Sequence, residues 1–129
     1  MGEGRGTANS SSVIAMILLV LCMFVFHPKM IHAETYTVGD DKGWSFGVQN
    51  WPSGKTFKEG DILVFNYTPV IHSVVTVKEF GYNSCFPFGG SGFHISGADK
   101  ITLVKGMNYF ICGTPGHCSQ GQKIAVNAI

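Results

Sequence analysis

Cys112-Gly-Thr-Pro-Gly-His117-Cys118-Ser-Gln-Gly-Gln122 places a thiol, an imidazole and a carboxamide at five-residue steps near the C-terminal end of the chain. Pro115 and Gly116 are turn formers, so the segment reads as a loop that folds the three side chains towards one point. A second imidazole stands upstream at His72, at the head of a β-branched stretch. One thiolate, two imidazoles and a weak fourth donor make up the ligand set of electron-transfer copper sites. His72, Cys112, His117 and Gln122 are therefore the candidate metal ligands, with one copper ion as the expected cofactor. Either histidine alone reads as an ordinary surface residue; the combined spacing with Cys112 points to ligands.

Outward from this loop, short strand patterns alternate with turn residues. Thr35–Val38, Asp61–Tyr67, Ile71–Lys78, Ile101–Val104, Met107–Cys112 and Lys123–Val126 are the expected strands, with Leu63, Phe65 and Tyr67 on one face of the second. One short helical turn is expected near Asn83–Cys85, and 86–93 (FPFGGSGF) reads as a flexible surface loop with Phe86 and Phe88 packed on the sheet end. Many short strands, glycine punctuation and almost no helical period indicate an all-β fold, a Greek-key sandwich of two sheets. His72 then opens one strand, Cys112 closes another, and the loop returns His117 and Gln122 to the last strand. All four sit at one end of a rigid scaffold.

The N-terminal third reads differently. Residues 13–26 (VIAMILLVLCMFVF) form an apolar run shorter than the ~18 residues a membrane span needs. Arg5 precedes the run and Ile31-His32-Ala33 follows it, a secretory leader pattern with a cut after Ala33. Residues 1–33 are thus expected to leave as a signal peptide, and 34–129 to form one small exported domain with no membrane anchor. Nine Lys and Arg against eight Asp and Glu become seven against seven once Arg5, Lys29 and Glu3 are gone. A neutral domain offers no basic face for nucleic acid or anionic lipid.

Cys22 leaves with the leader, so Cys85, Cys112 and Cys118 remain, and an odd count leaves one thiol unpaired. A metal-bound Cys112 implies a Cys85–Cys118 bridge, whereas a Cys112–Cys118 bridge leaves Cys85 free. Other functions also fit parts of the pattern. A Cys112/His117 hydrolase lacks an evident orienting Asp or Asn, and Cys with His also suits zinc. A structural or signalling extracellular domain without redox turnover is the main alternative to an electron carrier. Asn66-Tyr-Thr68 is a glycosylation sequon.

The domain closely resembles the plant phytocyanins, blue copper proteins of the cupredoxin fold, and the plantacyanin branch above the others. The stretches that carry this are Tyr36-Thr-Val-Gly39, Gly43-Trp44, Trp51-Pro52, Gly60–Tyr67, His72, Tyr109–Cys112, Pro115–Cys118 and Lys123–Asn127. The resemblance implies a two-sheet sandwich and copper held by His72, Cys112 and His117. It also implies a Cys85–Cys118 disulfide, single-electron transfer rather than enzymatic turnover, and an apoplastic or cell-wall location. A monomer serving an unidentified redox partner, protein or small molecule, is expected. Plantacyanins commonly place Met at the axial position; Gln122 stands there, as in the stellacyanin branch, and lowers the expected reduction potential. Ser73 replaces the usual Asn or Asp beside the first histidine; it is expected to donate one bond between the ligand loops but to reach less far, and so to tie them less firmly.

Overall fold

A computed structural model describes residues 2, 9–26 and 32–129. Glu3, Arg5, Lys29 and Ile31, on which parts of the leader reading rest, lie outside the described residues. The chain divides into two compact units, Met1–His32 and Ala33–Ile129. In the first, the apolar run forms helix α1 (Ser10–Val25), which buries none of its residues. Among the described residues no helix is long and apolar enough to cross a membrane.

The second unit holds seven strands: β1 (Thr35–Thr37), β2 (Ile62–Asn66), β3 (Val74–Val77), β4 (Gly92–His94), β5 (Ala98–Thr102), β6 (Gly106–Ile111) and β7 (Lys123–Ala128). They form two sheets in the orders β1-β2-β5 and β4-β3-β6-β7, the expected sandwich. The chain changes sheet between β2 and β3, again between β4 and β5, and again before β6. β1 runs parallel to β2; the remaining strand pairings are antiparallel.

Alternation in the strands builds the core. Leu63 and Phe65 of β2 point inward to meet Phe110 of β6 and Ile124 and Val126 of β7, and all are buried. Phe65 packs against Phe110 at 5.2 Å between ring centroids and edge-on against Trp44 at 5.0 Å. The other face of the second sheet is not left bare. A second, smaller cluster of Val75, Val77, Ile111 and Cys118 is covered by Tyr82, Cys85 and Tyr109. Helix α2 (Glu79–Ser84) carries Tyr82, and the Cys85–Cys118 disulfide clamps its end, with Cα atoms 5.7 Å apart. Closing a 33-residue separation, this bridge is worth about 3–4 kcal/mol. Both clusters and all the strands lie within Ala33–Ile129, so this unit carries its own core.

Four expectations need correction. The strand expected at Ile101–Val104 begins at Ala98, because all five residues of β5 pair with β2 despite the polar pair Asp99-Lys100. The expected loop 86–93 runs into edge strand β4, where Gly92 lies opposite Thr76 and Ser91 N–H donates to the Thr76 carbonyl. The helical turn spans Glu79–Ser84, earlier than expected, and Cys85 ends it with φ 55°. Phe86 and Phe88 are 46% and 72% exposed, packing on each other at 5.3 Å instead of on the sheet end.

Candidate metal centre

His72 does not open a strand. It lies two residues ahead of β3, held in the preceding turn by its own N–H, which donates to the Thr68 carbonyl at 3.3 Å. Pro69 removes a donor from this turn and Val70 takes φ 74°, a left-handed conformation disfavoured for a β-branched residue. Cys112 directly follows β6 and is buried, its amide donating to the Gln122 carbonyl at 3.0 Å. The intervening loop turns at Gly116, φ 83°, and His117 N–H donates to the Thr114 carbonyl at 3.1 Å. One short 3₁₀ turn, Cys118–Gln120, then leads to Gln122 and β7.

These placements aim four donor atoms at one point. His72 Nδ1 is 3.1 Å from His117 Nδ1 and 3.1 Å from Gln122 Oε1. Cys112 Sγ lies 3.6 Å from His117 Nδ1. The thiol and the two imidazoles offer donor atoms within 4.8 Å of one another. Cys112 forms no disulfide, so its sulfur is free for this role. Gln122 is completely buried, and its Nε2 donates to the Trp44 carbonyl at 3.1 Å. That bond fixes the amide's orientation and turns the oxygen towards the histidines. Soft sulfur, two borderline nitrogens and one hard oxygen suit copper, and the residues present fit that ion.

The loops carrying these groups are tied to each other. Gly113 N–H donates to Ser73 Oγ at 2.9 Å, and Thr114 Oγ1 donates to the Ile71 carbonyl at 2.8 Å. Ser73 is buried and makes the one loop-bridging bond expected of it, but as the acceptor and not the donor. A Cβ at position 113 would stand 2.9 Å from that oxygen and 3.0 Å from Val75, which explains the glycine. Trp44 Nε1 donates to the Ser73 carbonyl at 2.9 Å, joining the core to the same loop.

Phe46 is a residue the sequence reading missed. Its half-exposed ring lies edge-on to His117 at 4.8 Å and to His72 at 5.8 Å between centroids. Gly47 fixes this segment beside the ligand loop, its N–H donating to the Gln120 carbonyl at 3.2 Å. An aromatic between serine and glycine carries no chemical signature of its own. Met107 is half-exposed on β6 and takes no part.

Residues 43–122 match the plastocyanin-like domain family. The chain is 49% identical to chemocyanin of Lilium longiflorum over 99% of each chain. It is 44% identical to the basic blue protein of Arabidopsis thaliana over the full length of both. The chain belongs to the phytocyanin family. Among solved structures, cucumber basic protein, a blue copper protein, superposes on this phytocyanin with TM-score 0.72 at 50% identity. That structure is matched over 99% of its own length and covers 74% of this chain.

Proposed function

We propose that this phytocyanin is a one-electron carrier in which His72, Cys112 and His117 hold one copper ion, with Gln122 as a weak fourth ligand. The convergence of two Nδ1 atoms, one thiol sulfur and one fixed carboxamide oxygen carries this reading. Copper bound there would supply the Cu(I)/Cu(II) couple. The protein's part is to keep its donors still. Cys112 and Gln122 are anchored on β6 and β7, Ser73 and Thr114 lock the two loops together, and Phe46 braces both imidazoles. A site that barely relaxes between two charge states needs little reorganisation to exchange an electron.

The surface around the site narrows the partner. Pro69, Val70, Phe93, Ile95, Thr114 and Pro115 line a hollow beside His72, and none is charged. The segments 43–54, 62–77, 80–98 and 106–122 contain no Asp, Glu, Lys or Arg. An uncharged rim favours an uncharged or apolar partner surface, and electron exchange insensitive to ionic strength. The leader pattern supports export of the domain from the cell, cut after Ala33. Voltammetry of the copper-loaded domain tests the reading: a reversible one-electron wave supports it. A zinc-like silence with copper bound contradicts it.

A further inference from the structure

Asp61 is completely buried, yet no cationic side chain is among its partners. Its Oδ2 accepts from the Lys58 amide at 2.8 Å, and its Oδ1 accepts from the Glu34 amide at 3.0 Å. A buried carboxylate held by two neutral donors is an incompletely compensated charge. Glu34 is the residue that follows the expected cut, and the nitrogen on Asp61 is the one that the cut would free. We infer that removal of the leader completes this site: the new Glu34 α-ammonium forms a buried-end ion pair with Asp61.

The chemistry balances with water alone. Hydrolysis breaks the Ala33–Glu34 C–N bond, and the new carboxylate departs on Ala33 with the leader. The nitrogen left on Glu34 gains one hydrogen from the water and one proton from solvent, becoming an ammonium at neutral pH. Charge-assisted hydrogen bonds are roughly twice as strong as neutral ones. Neither end of the pair needs to move, because the Glu34 carbonyl is already fixed by the Ile62 amide at 2.8 Å. Asp61 is itself pinned at the start of β2, its carbonyl accepting from Leu103 N–H at 2.8 Å. The nearby ionisable groups are the Glu34 carboxylate and Tyr36 hydroxyl, 3.1 Å apart, with Lys58 and Glu59 on the turn that leads into Asp61. The exported form would therefore be locked at the end of the sandwich remote from the ligands, and a miscut form would not.

The test compares the 34–129 domain with a free amino terminus, the same domain N-acetylated, and the domain extended by Ala33. Acetylation keeps the Glu34 N–H and removes only the charge. The free form is expected to melt about 5 °C above both others, and this gap to vanish in Asp61→Asn. Equal melting temperatures, or a gap that survives Asp61→Asn, would overturn the inference. Should Asp61→Asn fail to fold, titration of a ¹⁵N-labelled Glu34 amine decides: a value raised above the usual ~7.7–8.0 supports the pair, and an ordinary one contradicts it. The inference rests on the leader reading, which N-terminal sequencing of the exported protein tests separately. A first residue other than Glu34 would also overturn it. None of these readouts involves copper, so their failure leaves the electron-carrier reading untouched.

Discussion

The two ends of the sandwich each bury one polar side chain completely, Gln122 at one and Asp61 at the other. Gln122 spends its donor on the Trp44 carbonyl and leaves its oxygen facing a histidine nitrogen. Asp61 has both oxygens engaged by backbone amides and ties β2 to the start of the domain. At the first end, donor atoms that attract the same cation are held against one another. At the second, acceptors are matched with donors from the chain itself. Buried polarity at the Asp61 end is spent on architecture, and at the Gln122 end it is kept open for a ligand.

Substitutions at each place should move one readout and spare the other. The largest effect is expected from Cys85→Ala, which opens the disulfide over the outer cluster and costs about 3–4 kcal/mol in denaturant unfolding. It also frees the Cys118 thiol, so Cys118 is replaced by Ala in the same variant and both proteins are unfolded without reductant. Next, Asp61→Ala strips the Lys58 and Glu34 amides of their acceptor and should cost about 2 kcal/mol, with an unaltered copper spectrum. A changed spectrum would mean that the two ends are coupled. Gln122→Met keeps the volume but strips the Trp44 carbonyl of its donor, and should cost about 1–2 kcal/mol, while voltammetry shows a higher reduction potential. An unmoved potential would remove Gln122 from the ligand set.

The smallest effect concerns Tyr67, next to the site but outside it. Burial, helped by its hydrogen bond to Asp99, pushes its phenol up from 10.0 to about 12. The folded state therefore favours the protonated form. Its stabilisation is fully present below pH ~10 and lost as pH rises towards about 12. Phenolate absorbance should show this tyrosine ionising late, and Tyr67→Phe should titrate without that last step.

Much of this was legible in the sequence because the deciding features are local. The steps from Cys112 to His117 to Gln122 lie in one loop, and inward alternation at Leu63 and Phe65 marks β2 unaided. What escaped depends on distant pairing. β4 is a glycine-rich edge whose strand character comes from β3, and β5 gains Ala98–Lys100 from its register with β2. His72 left its strand because the Thr68 carbonyl captures its amide, a bond across four residues with no marker in composition. Phe46 reaches the imidazoles only through the packing of Gly47 against the ligand loop. The one bond expected of Ser73 forms, but its acceptor role was not legible, because it depends on the close approach of the loops at Gly113.

The most direct test of the central claim is the visible spectrum of the domain titrated with Cu(II), beside Cys112→Ser. An intense thiolate-to-copper band that saturates at one ion per chain and disappears in the variant is the expected result. A colourless protein, or a band that survives loss of the Cys112 sulfur, would contradict the account.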